Sequence, residues 1–429
     1  MKTRIRHLAL LVAGCLAPVM ASATNGYFAH GYGIKAKGMA GVGIALPQDS
    51  LAAATNPAGI AFVNSRMDLG AELFLPRRSS TISGNGGIPP YGIPPLDGTY
   101  SGDGKSAFLV PEFGYNRVIN PNLTVGLAVY GNGGMNTTYD RSPFMMLGGS
   151  SPAGVDLMQL FIAPSMAYKV NPNHSLGVSL NLAHQRFSAK GLEPFAGFGF
   201  SSSPANVSNV GSDSASGWGV RVGWTGQVSD AVTMGATYQS KTQMGKFDKY
   251  AGLFADGGSF DIPANYGIGL ALKTSPRLTV AADVQRIEYG GIASVANPVA
   301  NLFRPDGSGM LGGSQGAGFG WRDMTVFKIG AAWKHSDQLT IRAGYSTGSQ
   351  PIPSGETFFN ILAPGVMERH LTLGMTWQVG GGKEVSAYYM HAFGERVNGL
   401  NSIPPMMGGG EANLRMHQNA LGLALGWRI

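Results

Sequence analysis

Ser175-Leu176-Gly177-Val178-Ser179-Leu180-Asn181-Leu182 places a leucine or valine at every second position, with a small or polar residue between each pair. A period of two belongs to an extended strand whose two faces meet different surroundings. It returns where Met67, Leu69, Ala71, Leu73 and Leu75 oppose Asp68, Gly70 and Glu72. Ile262, Ala264, Tyr266, Ile268, Leu270 and Leu272 likewise oppose Asn265, Gly267 and Gly269, and the chain ends on Leu421, Leu423, Leu425, Trp427 and Ile429. An apolar face toward lipid and a small or polar face toward a lumen is the pattern of a transmembrane β-barrel.

Composition points the same way. Hydrophobic residues make up 44% of the chain and charged ones only 13%, where about a quarter charged is usual in soluble domains. Glycine, 65 of 429 residues, is about twice its ordinary share. Beyond residue 23 no window approaches the roughly 18 apolar residues of a membrane helix, so the apolar residues are spread thinly and regularly.

The alternation predicts strands over 65–78, 107–119, 122–133, 158–170, 174–190, 216–229, 231–244, 261–273, 276–289, 322–335, 338–347, 366–379, 384–395 and 414–429. That is an even number, fourteen. Short turns such as Asn120-Pro121, Asn171-Pro172-Asn173, Ser229-Asp230 and Gly380-Gly381-Gly382 alternate with seven long Gly-, Pro- and Ser-rich loops, as in barrels with long loops outside and short turns in the periplasm. Trp218 near one rim and Trp333, Trp377 and Trp427 near the other lie at interfacial depth.

Residues 1–23 read as an export signal: Lys2, Arg4 and Arg6, an apolar run from Leu8, and the small-residue cleavage site Ala21-Ser22-Ala23. They carry three of the seven net positive charges, leaving +4, which is no footprint for nucleic acid. The one cysteine, Cys15, lies inside the signal. Acylation at Val12-Ala13-Gly14-Cys15 is the competing reading, weakened by the short apolar run before it. Either way the mature chain forms no internal disulfide.

Residues 24–64 do not alternate. Their apolar residues (Ile34, Met39, Val42, Ile44, Leu46, Leu51, Ile60, Phe62) favour a plug buried in the lumen over a flexible periplasmic extension. The barrel proper is then 65–429.

Asn25-Gly26-Tyr27-Phe28, Gly31-Tyr32-Gly33, Lys37-Gly38-Met39 and Asn56-Pro57-Ala58 resemble the amino-terminal hatch of the FadL/TodX family. Tyr130-Gly131-Asn132-Gly133-Gly134-Met135-Asn136, the runs 159–170 and 247–264, and Met390-His391-Ala392-Phe393-Gly394 extend the resemblance along the mature chain. It implies a fourteen-stranded barrel with an N-terminal hatch in the outer membrane of a Gram-negative bacterium. Both mature termini would face the periplasm. It also implies a monomer, inserted by the barrel-assembly machinery among outer-membrane lipids, whose first expected role is passive uptake of long-chain fatty acids with lateral release into the membrane; uptake of aromatic or other hydrocarbons, or export of modified lipids, by the same barrel is the alternative. Ile429 stands where the usual assembly signal ends in an aromatic residue.

Two loops are rich in apolar side chains: Phe195, Phe198 and Phe200 in one, Phe247, Tyr250, Leu253, Phe254 and Phe260 in the other. Exposed clusters of this kind mark binding or contact surfaces, and in the family such loops form a cleft where ligand lands. The alternative is loops packed on one another as a cap. A fatty-acid carboxylate would need an inward cation, and the alternation offers Arg221, Lys328, Lys241 and Arg342; these could instead pair with Glu72, Asp283 or the hatch. The family releases ligand sideways beside a kinked third strand, where Gly126, Gly131, Gly133 and Gly134 are available here for a kink or bulge.

No cofactor, metal ligand set or catalytic residue stands out. Gly312-Gly313-Ser314-Gln315-Gly316 fits a nucleophile-elbow pattern, but no strand precedes it and no helix follows. A lipid-hydrolysing barrel is thus a remote alternative. An aqueous porin is another, and it would have more lumen charge and no apolar segment before its first strand.

Overall fold

The computed structural model describes residues 24–429; the export signal, its cleavage site and Cys15 lie outside the described residues. Alternation becomes a ring of fourteen antiparallel strands: β1 (Arg66–Ser83), β2 (Phe108–Val118), β3 (Leu123–Asn136), β4 (Gly154–Asn171), β5 (His174–Lys190), β6 (Asp213–Gln227) and β7 (Val232–Gln239), then β8 (Asn265–Ser275), β9 (Leu278–Ile287), β10 (Met324–Lys334), β11 (Leu339–Gly348), β12 (Arg369–Gly380), β13 (Lys383–Val397) and β14 (Glu411–Arg428). Each pairs with its neighbour in sequence, and β14 pairs back onto β1, closing the barrel. Two short strands in the long loops, Gly98–Ser101 and Gln243–Met244, extend β1 and β6.

The outward residues are apolar and uncovered. Ile268 and Leu423 are each 64% exposed, which is intelligible only if lipid is the solvent. No helix among the described residues is long and apolar enough to cross a membrane, so the strands make the crossing.

Several strands run beyond their expected ends toward the long loops. β1 continues to Ser83, β4 starts at Gly154, β6 at Asp213 and β14 at Glu411. There the outward positions turn polar (Arg77, Arg186, Ser216, Arg415) while ladder pairing goes on, so hydropathy loses the strand before the backbone does. The stretch expected at 231–244 instead breaks after Gln239. The break corrects one lumen residue: Lys241 is half-exposed at the long-loop rim and ion-paired with Asp261 at 3.1 Å, because a one-residue irregularity reverses facing.

Residues 24–62 fill the ring. Tyr27, Met39, Val42 and Ile60 are fully buried, each worth roughly 1.5–3 kcal/mol relative to exposure. A one-turn helix Ile34–Lys37 and the 3-10 turns Ser50–Ala54 and Pro57–Phe62 are the segment's only regular pieces. Two main-chain bonds, Ala29 N to Asn132 O at 2.8 Å and Gly134 N to Tyr27 O at 2.9 Å, attach its beginning to the upper part of β3. Thr24 therefore lies inside the ring toward the long loops. Ile429 is at the short-turn end, bonded to Ser65, so the expectation of two termini on the short-turn side holds for Ile429 alone.

Candidate transport site

Three features converge on the lumen: anchors for the inner segment, a seam in the wall, and a cap of apolar loops.

Asn56-Pro57-Ala58 supplies one anchor. The Asn56 side-chain amide donates to Ile44 O (2.8 Å), Trp224 O (2.9 Å) and Thr225 Oγ1 (3.1 Å), and its oxygen accepts from Ala58 N at 3.1 Å. Pro57, with its fixed φ and no N–H, occupies the first turn of the 3-10 helix that Asn56 caps. The wall admits this corner because Gly177 and Gly223 face it. A Cβ at Gly177 would lie 2.2 Å from Ala58 N, and one at Gly223 would lie 1.9 Å from Asn56 Oδ1.

The buried lumen cations turn toward the same segment. The Arg221 guanidinium donates to Thr55 O at 2.8 Å and to Gln239 Oε1. Lys328 Nζ donates to His30 O (3.1 Å) and Gln285 Oε1 (3.2 Å). Arg342 donates to Gln48 Oε1 and Thr376 Oγ1, both at 2.7 Å. Carboxylates of the wall complete the network. Asp283 accepts from Gly43 N and Ile44 N, Glu72 lies 2.8 Å from Lys37 Nζ, and Glu384 pairs with Lys35 and Arg66. Arg221 and Lys328 also line a small polar cavity with Tyr32, Thr55 and Asp283.

The seam lies between β2 and β3. Their ladder runs from Val118–Thr124 up to Phe113–Val129 and stops. Above it β2 pairs only with β1, and β3 only with β4. Gly126 sits within the regular ladder, whereas a register shift lies between Gly131 and Gly133. At Gly133 φ is +155°, and a Cβ would fall 1.8 Å from Tyr27 O. The inner segment substitutes for the missing strand contacts on both sides. Tyr27, Ala29 and the Tyr32 hydroxyl (2.9 Å to Asn132 Oδ1) bond β3, while Gly33 N, Ile34 N and Lys37 Nζ donate to Glu112 of β2. Val110, Phe113, Val129 and Leu160 form a separate apolar cluster at this seam.

The loop phenylalanines mostly pack on one another. Phe195 meets Phe144, Phe358 and Phe359; Phe254 meets Phe187, Phe247 and Phe260; and Tyr250 donates its hydroxyl to Gly211 O at 2.6 Å. Phe198 is 39% exposed and touches Phe200. Among them lies a small apolar cavity, lined by Phe195, Leu253 and Phe254 together with Phe187, Phe319 and Phe359 and others. Its lining contains no ionisable side chain, and the hydroxyl of its one polar residue, Ser294, is held by Ser259 O (2.6 Å) and Ala255 N (3.0 Å). Phe198, Phe200, Phe247 and Tyr250 do not line it. Glu356 braces the cap through Val299 N at 2.9 Å, and burial pushes its carboxyl above the usual carboxylate range.

The sequence motifs contain Tyr32 and Asn132 but not their bond to each other, and they miss Glu112 and the distant ring contributors Phe187, Phe319 and Phe359. Glu112 carried a signal, an acid on the inward register of a strand; the rings of separate loops had none. Ser314 lies in a loop flanked by neither strand nor helix, and among the described residues no cluster could hold a metal ion.

Residues 16–429 match the family model described as outer membrane protein transport protein (OMPP1/FadL/TodX). The Pseudomonas putida toluene transporter TodX superposes with a TM-score of 0.69 at 19% identity, covering 93% of this chain and 99% of that one. A Pseudomonas aeruginosa FadL homologue gives 0.69 at 18%, with 94% and 99% covered. The Ralstonia pickettii toluene transporter TbuX gives 0.62 at 17%, with 93% and 99% covered. No curated protein sequence matches. With the closed ring, the lipid-facing apolar strands and a family match over nearly its whole length, the chain belongs to the FadL/TodX family of transport proteins in the outer membrane of Gram-negative bacteria, which carry hydrophobic compounds.

Proposed function

We propose that this protein admits uncharged hydrophobic molecules, aromatic or aliphatic hydrocarbons, through the loop cavity and passes them sideways into the membrane at the β2–β3 seam, with residues 24–64 acting as its hatch. The observation that carries the ligand class is the cavity lining: rings and aliphatic side chains with no ionisable group. A carboxylate taken there would be desolvated without a partner, which costs several kcal/mol. The lumen cations that could receive it are each bonded to the hatch. Release follows from the same geometry. Displacing residues 27–37 would free both flanks of the seam, leaving Val110, Phe113, Val129 and Leu160 as an apolar doorway.

A second reading, uptake of long-chain fatty acids, is favoured by Arg221 and Lys328 facing one polar cavity. There a carboxylate would replace Thr55 O and His30 O as acceptors, so the ligand itself would loosen the hatch.

Equilibrium binding of toluene and of oleate to the purified protein separates the two. The first reading expects toluene to bind, and an Arg221→Gln/Lys328→Gln variant to bind it unchanged. Oleate binding that collapses at least tenfold in that variant, with toluene left unbound, would establish the fatty-acid reading in its place.

A further inference from the structure

The outer wall carries a basic patch that no internal contact accounts for. Arg396 of β13 and Arg415 of β14 stand directly opposite each other, and both are exposed. On the other flank of β14, Arg77 of β1 opposes His417 while Arg415 opposes Ser79, so Arg77 is the diagonal neighbour of Arg415. Like charges facing one another across a ladder destabilise a sheet. Carboxylates nearby are few and engaged. Asp103 lies 3.8 Å from Arg77, Glu395 is held by Arg369 at 2.7 Å, and among the described residues Arg396 and Arg415 have no carboxylate within ion-pair distance.

What lies below the cations indicates what would lie above them. Toward the membrane middle come His417 and His391, then Asn419, whose side-chain oxygen receives the Tyr389 hydroxyl at 2.7 Å. Next are the exposed, lipid-facing Leu73 and Leu421. Descending the wall therefore passes from positive charge through hydrogen-bonding groups to hydrocarbon. A lipid presents the complementary series: phosphate, hydroxyl-rich headgroup, acyl chain.

We propose that β13, β14 and β1 form a binding site at their long-loop end for a phosphate-bearing lipid of the outer leaflet, its phosphates held by Arg77, Arg396 and Arg415. Planar guanidinium groups grip phosphate oxygens in pairs, and a bound dianion converts the Arg396–Arg415 repulsion into shared attraction. The position favours a lipid over a soluble anion, because the acyl chains of a lipid whose phosphates sit at the arginines would lie against the exposed Leu73–Leu421 surface.

The test uses the full-length mature protein in detergent, with diphosphorylated lipid A and its dephosphorylated form as probes and native mass spectrometry as the readout. Wild type should retain the diphosphorylated form at least tenfold better, and retention should weaken as salt is raised. Arg77→Gln/Arg396→Gln/Arg415→Gln should lose that preference while remaining heat-modifiable and transporting as before. A charge-matched variant at the short-turn end, Lys273→Gln/Arg277→Gln/Lys334→Gln, should keep it. Equal retention of the two lipids by wild type, salt-insensitive retention, or undiminished retention by the triple-arginine variant would each overturn the proposal. The salt titration needs no variant and so decides the matter even if the triple variant does not assemble.

Discussion

Two seams of this barrel are closed in opposite ways. Between β14 and β1 the ladder runs the whole length of both strands, from Arg66–Arg428 to Ser83–Glu411. Between β2 and β3 it ends at Phe113–Val129, and the chain's own amino-terminal segment takes over. A closed barrel normally abolishes sheet edges, because an unpaired backbone group in hydrocarbon is costly. Here an edge is kept and covered from within by bonds to Tyr27, Ala29, Gly33 and Ile34. A strand-to-strand seam opens only by breaking the sheet; one covered by a separate segment opens when that segment moves.

The comparison breaks most visibly if the cover is removed. Deleting residues 27–55 leaves every barrel strand intact but empties the lumen, so single-channel conductance in a planar bilayer should rise from near nothing to that of an open pore. Steady conduction by the wild-type protein, with no increase on deletion, would mean the segment does not block the barrel. A single residue should come next. Gly133→Val places a side chain where Tyr27 O now sits, at a φ of +155°, with a strain on the order of 1–3 kcal/mol. The β3 flank should lose its cover, and ligand uptake should fall about tenfold in a barrel that still shifts on unboiled gels, whereas Leu423→Val on the lipid face of the long seam should leave uptake unaltered.

Smaller effects sharpen the picture. Asn56→Ala forfeits the bonds of both amide hydrogens, shared among three acceptors, and the cap accepted from Ala58 N, each bond worth roughly 0.5–1.5 kcal/mol. Amide exchange over residues 50–62 should accelerate by about an order of magnitude or more, while exchange in β14 and β1 stays slow. Equal acceleration in both would show that the segment and the wall unfold as one unit. In the cap, Phe195→Ser/Phe254→Ser should weaken hydrophobic-ligand binding about tenfold, and Phe198→Ser should do almost nothing because that ring lies outside the cavity. Matching losses from the two variants would move ligand capture from the cavity to the exposed loop surface.

Much of this was legible in the chain. Strand number, order and facing were readable because lipid and lumen impose opposite demands on alternate residues, and Leu421, Leu423 and Leu425 record that demand plainly. The Asn56-Pro57 corner was legible too, since a capping amide before a fixed-φ proline has few structural uses. Arg221, Lys328 and Arg342 could be assigned to the lumen by register, but not their partners. Lys241 could not, because a break after Gln239 leaves no trace in hydropathy.

The amino-acid sequence by itself determined a fourteen-stranded, lipid-facing barrel with a buried leading segment, since these follow from local periodicity and composition. Only the tertiary structure decided which seam is short, which loop rings enclose a cavity rather than merely pack, and that the leading segment starts beside the long loops. The physical reason is range. Alternation is a property of neighbours in the chain, whereas Gly133 meeting Tyr27, or Phe195 meeting Phe359, depends on closing the ring around residues a hundred or more positions apart.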